Sequence, residues 1–196
     1  NRFIRRFTES SGSTGRSKLV PLSGFAEWTC QCFSFSAPVG CAVKYFKSKG
    51  RIIPPQRGLL TAEVGAKKLK GGTVSCLSSI PLLNLKPLVR FFNTTPPEVM
   101  FHNDILDADM HYLKLRFALQ DRNVSYVGTI FITTLESMFF YLENNWERLC
   151  NDIEKGVINE NIKMPDDLRR KLSKKLKPNP KRANELREEF KKGFDV

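Results

Sequence analysis

The sequence predicts an α/β fold in which a mixed sheet is packed by helices. Two short apolar runs flank a loop rich in Ser and Gly at residues 10–18, and a β-branched, aromatic run covers residues 124–132. Apolar residues then recur at helical spacing from residue 135 onward. Strands that alternate with long helices are typical of α/β proteins rather than all-α ones. A chain of 196 residues is long enough for a sizeable hydrophobic core.

The loop Ser10–Lys18 lies between two predicted strands, Phe3–Thr8 and Leu19–Leu22. Its glycines allow backbone N–H groups to approach a phosphate, its hydroxyls add donors, and Lys18 supplies a positive charge. It does not match the Walker pattern, because two residues separate Gly15 from Lys18 and because Pro21 disfavours a helix directly after the loop. The composition is compatible with a phosphate-binding loop between extended segments and also with a flexible linker.

The next part of the chain is apolar and aromatic. Residues 24–46 predict a helix and then a second short helix or turn, with Pro38 and Gly40 as the break between them. Arg51–Ile53 predicts a short strand. Residues 54–80 show little periodicity and predict long loops with some edge structure.

The second half of the chain has the clearest periodicity. Thr94–Met100 predicts a short helix or turn, and apolar spacing predicts a helix from Leu106 to Gln120. Val124–Ile132 predicts an interior strand. We expect this strand to support the helix that follows it.

That helix is predicted from about Leu135 to Lys155. Thr133 and Glu136 have the spacing of a capping box, and Gly156 is typical of a helix end. The predicted core-facing stripe consists of Met138, Phe139, Leu142 and Trp146. Two basic helices complete the prediction, one from Pro165 to Pro178 and one capped by Asn179-Pro180 that runs to Gly193.

Composition narrows the functional classes. The net charge of +12 suggests nucleic-acid binding. However, the basic residues alternate with acidic ones after Leu168, which is typical of solvated helices, so we expect no nucleic-acid partner.

Five cysteines form no C-x-x-C pair, which disfavours zinc and disulfide frameworks and predicts a reducing, cytoplasmic compartment. No apolar run is long enough to span a membrane. The chain begins with Asn1, so we expect a fragment or a processed piece.

An acidic stretch is compatible with metal binding. His102, Asp104, Asp107, Asp109 and His111 lie within ten residues, and Asp107 shares a helical face with His111. Acidic residues at a helix start also stabilise the helix dipole. We favour that interpretation and predict no metal site here.

Two blocks of the sequence resemble one family. Ser10-Ser11-Gly12-Ser13-Thr14-Gly15-x-x-Lys18 with Leu19-Val20-Pro21-Leu22 is similar to the SSGT(T/S)xGxxK(x)(I/M)P nucleotide motif of adenylate-forming enzymes. Tyr126–Phe131 and Phe140–Gly156 resemble the RVGAVFA…FLxxNWxxLxxDIxxG region of the GH-three, or auxin-responsive promoter, family of acyl-acid amido synthetases. Pro178-Asn179-Pro180 follows in the order of that family's helical tail.

The resemblance implies a function. The family activates a carboxylic acid with ATP and Mg²⁺ to an acyl-adenylate and transfers the acyl group to an amino acid. The resemblance also implies that the loop binds the phosphates of the nucleotide, through Ser10, Ser11, Gly12, Ser13, Thr14, Gly15 and Lys18. It further implies that one face of the strand binds the acyl group, through Val127, Thr129 and Phe131. The same alternation is typical of any half-buried strand, so core packing remains open for those three.

The resemblance also has gaps. The family's adenine and ribose motifs and its mobile C-terminal domain are missing from the sequence, and residues 47–105 match poorly. We therefore expect residues 1–196 to be part of an N-terminal adenylation and acyl-binding domain that is catalytically incomplete alone and carries no catalytic residue of its own. A non-catalytic binding or scaffold protein is the alternative. The acid, the amino acid and the oligomeric state stay open.

Overall fold

The computed structural model describes residues 4–9, 15–16, 18–31, 33, 37–51, 57–61, 66–68, 74–76, 86–102, 105–129 and 131–194. The chain divides into two compact units. The first comprises Asn1–Gln56 and Glu63–Val89, and the second comprises Arg57–Ala62 and Arg90–Val196. The mixture of small sheets and packing helices confirms the predicted α/β class.

The described residues of the first unit form a four-stranded mixed sheet and two complete helices. Its elements are β1 (Ile4–Glu9), β2 (Leu19–Ser23), α1 (Gly24–Gln31), α2 (Ala37–Ser48), β4 (Ala66–Lys68) and β5 (Val74–Cys76). The strand order is β2-β1-β5-β4, in which β1 pairs antiparallel with β2 and parallel with β5. Both strands predicted around the loop are confirmed. Pro38 and Gly40 lie in the first turn of α2 rather than at a break, because a proline fits the start of a helix.

The second unit is mainly helical. Its elements are β3 (Arg57–Leu60), the end of α3 (Lys86–Phe92), α4 (Pro97–Met100), α5 (Asp107–Gln120), β6 (Val124–Gly128), α6 (Ile132–Lys155), α7 (Asp166–Ser173) and α8 (Pro180–Phe190). Within residues 54–80, the segments 57–60, 66–68 and 74–76 are strands. This part of the chain therefore contains more β-structure than predicted. Residues 52 and 53 of the predicted Arg51–Ile53 strand lie outside the described residues.

β6 pairs with a single described partner. It lies parallel to β3 in a two-stranded sheet, and three of its five residues are exposed. The prediction of an interior strand was therefore wrong. The strand ends at Gly128 rather than at the predicted Ile132, because Phe131 is the N-cap of α6 and Ile132 is its first residue.

α6 begins at Ile132, three residues before the predicted start. Phe131 is its N-cap and makes no side-chain cap hydrogen bond, so the expected capping box of Thr133 and Glu136 does not begin the helix. The predicted end is confirmed, since Gly156 adopts the left-handed conformation with φ 70°. Met138 and Leu142 are buried as expected, but Phe139 is 47% exposed.

α5 lies at the centre of the second unit's core. Its residues 112–118 are all buried, including Lys114 and Arg116, whose charges are compensated by hydrogen bonds. Lys114 Nζ donates to the carbonyl of Thr61 at 2.9 Å, and Arg116 Nη2 donates to that of Asp152 at 2.9 Å. The main core cluster joins α5 to α6, α7 and Leu59 of β3.

A buried polar network holds α5 against the end of α6. Tyr112 Oη donates to Asp152 Oδ2 at 2.8 Å and accepts from the backbone N–H of Asn159 at 2.9 Å. Burial, together with the neighbouring Asp152 carboxylate, raises the pKa of the Tyr112 phenol. Desolvation lowers the pKa of Arg116. Because its groups are mutually hydrogen-bonded, the network stabilises the packing of the two helices.

The two C-terminal helices are shorter than predicted at their ends. α7 ends at Ser173 rather than at Pro178, and α8 ends at Phe190 rather than at Gly193. The predicted cap is confirmed, because the Asn179 side chain accepts a hydrogen bond from the Arg182 N–H at 3.1 Å. Phe190 packs against the half-buried Trp146 with ring centroids 5.9 Å apart.

Candidate functional site

The predicted phosphate loop lies in the chain between β1 and β2, which pair antiparallel. Glu9 pairs with Leu19 at the base of the loop, and Thr8 Oγ1 donates to the Val20 carbonyl at 3.4 Å just below it. This antiparallel pairing holds the two ends of the loop side by side. The two predicted extended segments on either side of the loop are confirmed, and the strand β2 follows Lys18 directly.

Within the loop the structure describes Gly15, Arg16 and Lys18. Gly15 has φ 149°, a conformation that residues with a side chain rarely adopt. Arg16 and Lys18 are both exposed, so the described end of the loop is cationic. Such an end can attract phosphate oxygens. The other predicted nucleotide residues, Ser10, Ser11, Gly12, Ser13 and Thr14, lie outside the described residues.

The three predicted acyl-pocket residues follow one another at the carboxyl end of β6. Val127 is in the strand and is 43% exposed, Thr129 lies in the connection, and Phe131 caps α6 and is 62% exposed. The Thr129 hydroxyl donates to the Phe131 carbonyl at 2.7 Å, which fixes this connection. The three residues therefore line the end of a strand rather than one face of it.

More apolar side chains are exposed around that end. Ile132 and Phe140 on α6 are 72% and 69% exposed, and Phe139 is nearly half exposed. Exposed apolar side chains in this number are typical of interaction surfaces. We refer to Val127, Phe131, Ile132, Phe139 and Phe140 as the apolar end.

The opposite, amino end of β3 and β6 borders an open cavity of about 610 Å³. Five of its lining residues carry positive charge, namely Arg57, Arg90, Arg122, Lys175 and Lys177. We refer to it as the cationic cavity. Sequence analysis missed it, because these residues come from four separate stretches of the second unit and form no linear motif. The one local signal was the density of basic residues in the C-terminal third.

The described side chains of the acidic stretch around α5 form no metal site. Asp109 Oδ2 accepts a hydrogen bond from the Lys163 N–H at 3.2 Å, and the His111 ring packs edge-on against Tyr141. Across the described part of the chain, no group of three or more His, Cys, Asp or Glu side chains is placed to hold a metal ion. Asp104 lies outside that part.

The structure describes the side chains of two cysteines. Cys41 is exposed and Cys150 is buried, and burial raises the pKa of the Cys150 thiol to about 11. The Cys150 side chain is part of the core. In the same described ranges, no helix has the length and apolar character needed to cross a membrane.

Comparison with known families gives one match along the whole chain. Residues 1–196 match the family described as "GH3 family N-terminal domain". Two curated relatives are indole-3-acetic acid-amido synthetase GH3.10 of Arabidopsis thaliana, 26% identical over 182 residues, and jasmonoyl–L-amino acid synthetase GH3.5 of Oryza sativa subsp. japonica, 27% identical over 194 residues. These alignments cover 91% and 93% of this chain but 30% and 32% of the relatives. The chain thus spans about a third of their length.

Solved structures show the same fold. The GH3.15 acyl acid amido synthetase superposes with a TM-score of 0.72 at 23% identity, covering 97% of this chain and 33% of that one. The AtGH3.15 enzyme in complex with 2,4-DB superposes with a TM-score of 0.70 and covers 92% of this chain. At this level of sequence identity the match establishes the fold alone, and any chemical activity has to be argued from the residues of the site.

Proposed function

Because this chain belongs to the GH3 family, in which it matches the N-terminal domain, we propose that it supplies the nucleotide-phosphate loop and part of the acyl-binding surface of an acyl-acid amido synthetase. The curated relatives named above are amido synthetases that join an acid to an amine. The observation that supports the proposal is the loop itself, which resembles the nucleotide motif and ends in exposed Arg16 and Lys18.

In the proposed reaction, a substrate carboxylate attacks the α-phosphorus of ATP. The bond from that phosphorus to the bridging oxygen breaks, and pyrophosphate leaves with the electron pair. An amino-acid amine then attacks the acyl carbon of the adenylate, which releases AMP and a proton and forms the amide. Pyrophosphate leaves readily when cations and donors already surround its oxygens, and this is the role we assign to the loop with Lys18.

Mg²⁺ enters this scheme with the nucleotide. It prefers phosphate oxygens and water and needs few protein ligands. The hydroxyls of Ser10, Ser11, Ser13 and Thr14 are the groups of the loop with the right chemistry to contact the phosphates. The acid is held at the apolar end, where Val127 and Phe131 offer apolar surface to its body.

The proposal is tested by pyrophosphate release from the complete gene product. A panel of acids that includes indole-3-acetic and jasmonic acid is supplied with ATP and Mg²⁺, and amino acids are then added to detect the amide. We expect acid-dependent release, and we expect Lys18→Ala and Ser11→Ala to slow it at least tenfold. The matched control is Lys44→Ala, because Lys44 is exposed on α2 outside the loop and the charge change is the same.

Two outcomes would contradict the proposal. A folded protein that releases no pyrophosphate with any acid would favour the binding or scaffold alternative. Normal rates in a folded Lys18→Ala variant would remove the loop from the mechanism. Thermal melting of each variant shows whether it is folded.

A further inference from the structure

The cationic cavity carries a second inference, independent of the proposed synthetase reaction. We propose that it binds a small molecule that bears a phosphate group. All of its lining residues belong to the second unit, whereas the phosphate loop belongs to the first.

The first argument is charge. Asp121 is the one acidic residue among the lining residues, against five cations. Asp121 forms an ion pair with Arg57 at 3.1 Å. Two acidic residues that do not line the cavity neutralise two more cations: Glu98 pairs with Lys175 at 2.9 Å, and Glu185 pairs with Arg122. Within the described ranges, Arg90 and Lys177 have no acidic partner, so the cavity keeps an excess of positive charge after every ion pair is counted. A cleft lined by one sign of charge concentrates ligands of the opposite sign.

The second argument is unused hydrogen-bonding capacity. Thr95 lines the cavity and is fully buried, yet its Oγ1 has no hydrogen-bond partner among the described residues. The same is true of Arg57 Nε, although the other nitrogens of that guanidinium bind Asp121 and the Asn93 carbonyl. Both atoms are closed to solvent, so a ligand would reach them only after the cavity wall shifts. Unpaired polar groups beside a cavity favour a ligand with polar atoms.

The third argument is size and geometry. A volume of about 610 Å³ lies within the usual range for small-molecule sites and exceeds what one phosphate ion fills. Guanidinium groups bind phosphate oxygens through two parallel hydrogen bonds. Three arginines line the cavity, and Arg90 is the one of them without an acidic partner among the described residues. A phosphate ester, with its organic part occupying the remaining volume, fits these features.

The cavity wall is fixed in place by the core. Asn93 Oδ1 accepts from the backbone N–H groups of Leu60 and Thr95, at 3.2 and 3.3 Å. On the other side, the Asn179 N–H donates to the Ile153 carbonyl at 3.1 Å, which holds the segment that carries Lys177. The cations are therefore presented by an ordered wall, as a specific site requires.

The test is a calorimetric titration of the complete gene product with pyrophosphate at physiological salt. The site variant is Arg90→Gln/Lys177→Gln, and its control is Lys174→Gln/Lys181→Gln, which removes the same charge from exposed residues outside the cavity. We expect the site variant to weaken binding at least tenfold and the control less than twofold. Equal effects of the two variants would overturn the proposal, because they would show attraction by net charge alone.

Two further variants locate the binding. Lys18→Ala separates the cavity from the phosphate loop: binding that survives Lys18→Ala and is lost in the site variant supports the cavity, and the reverse pattern overturns it while supporting the synthetase proposal. Thr95→Val keeps the shape of the side chain and removes the hydroxyl. We expect it to weaken pyrophosphate binding severalfold in a protein that melts normally, and unchanged binding would contradict the assigned contact.

Two competing ligands complete the test. Citrate carries similar charge on carboxylates, and we expect it to bind at least tenfold more weakly than pyrophosphate. Equal binding of citrate would overturn specificity for phosphate. A short RNA or DNA that displaces pyrophosphate from the cavity at nanomolar concentration would replace the small molecule with a nucleic acid.

Discussion

The two ends of the β3–β6 pair differ in chemistry although they belong to the same two strands. At the amino end, Arg57 and the segment after α5 border the cationic cavity. At the carboxyl end, Val127 and Phe131 leave apolar surface exposed. The sheet is two strands wide and at most five residues long, so neither chemistry is buried by the sheet itself. One small scaffold can therefore present a polar and an apolar ligand surface on opposite sides.

α5 supports both ends. Near the carboxyl end, Lys114 donates to the Thr61 carbonyl directly after β3. At the amino end, Asp121 follows the last residue of α5 and binds Arg57. Because one buried helix supports both ends, a substitution in α5 should affect both ends or neither, whereas substitutions at either end should affect that end alone.

The largest effect is expected for Gly156→Ala. A Cβ at this position would lie 2.3 Å from the backbone N of Pro178 and 2.5 Å from the carbonyl carbon of Lys177, and φ is +70°. Strain and steric overlap together predict a loss of about 3 to 5 kcal/mol in the free energy of unfolding. Since the displaced segment carries Lys177, pyrophosphate affinity should fall as well.

Chemical denaturation and calorimetry measure the two effects. Gly193→Ala is the control, because φ there is +93° but no atom lies within 4 Å of the added Cβ. We expect it to cost about 1 to 2 kcal/mol, from backbone strain alone. Equal losses in both variants would show that contact with the Lys177-Pro178 segment is unimportant.

The second largest effect is expected for Tyr112→Phe. It removes the hydroxyl that joins Asp152 to the Asn159 N–H and leaves a buried carboxylate oxygen without this donor. We predict a loss of about 1 to 3 kcal/mol in unfolding free energy, with ligand affinities at both ends of the sheet unchanged. Tyr45→Phe, at a side chain that is 59% exposed, should change stability by less than about 0.5 kcal/mol. A folded Tyr112→Phe protein that loses affinity at one end alone would contradict the joint support of the two ends by α5.

Local sequence predicted the parts of this arrangement that depend on neighbours in the chain. The two hairpin strands, the Asn179 cap and the Gly156 helix end all follow from short-range patterns. The capping-box prediction failed because Ile132 already starts α6, and the pattern at Thr133 carries no information about packing upstream. The resemblance named the loop and the acyl residues by position, but it supplied no geometry for them.

The buried cations and the cationic cavity were beyond sequence reasoning for one physical reason. Lys114 and Arg116 are tolerated in the core because backbone carbonyls of distant residues accept their hydrogen bonds. Likewise, Arg57 and Lys177 line one cavity although 120 positions separate them in the sequence. A pattern that exists solely in three dimensions leaves no trace in spacing.

A smaller effect is expected for Glu98→Gln, which sharpens the assignment at the amino end. Glu98 neutralises Lys175 at 2.9 Å, so its removal should tighten pyrophosphate binding two- to fivefold. Glu188→Gln removes the same charge from an exposed ion pair on α8 and should leave affinity within twofold. Weaker binding in Glu98→Gln would indicate that Glu98 holds Lys175 in position for the ligand rather than competing with pyrophosphate for the positive charge of Lys175.

The same substitution has a pH signature. Burial would raise the pKa of Glu98, but the hydrogen bond and charge of Lys175 outweigh it, so the pKa lies below the ordinary value of 4.5. A carboxyl whose pKa is lowered by folding stabilises the fold above its unfolded pKa, and this contribution is lost as pH falls through the folded pKa. The stability difference between wild type and Glu98→Gln should therefore be under about 1 kcal/mol at pH 7, because the pair is partly exposed, and should vanish in acid. Denaturation curves at pH 7 and in steps below 4.5 measure it.

The smallest effect on stability is expected at the apolar end. Phe131 is 62% exposed and caps α6 through its backbone alone, so Phe131→Ala should change the free energy of unfolding by less than about 0.5 kcal/mol. If the apolar end binds the acid, the same variant of the complete gene product should raise KM for the acid severalfold, with KM for ATP unchanged. Pyrophosphate binding in the cationic cavity should also be unchanged, because that cavity lies at the other end of the strands. Lys174→Gln, which is exposed and belongs to neither end, is the kinetic control. A Phe131→Ala protein that is folded and retains the wild-type KM for the acid would show that this exposed ring has no part in acyl binding, and that the apolar end has some other partner.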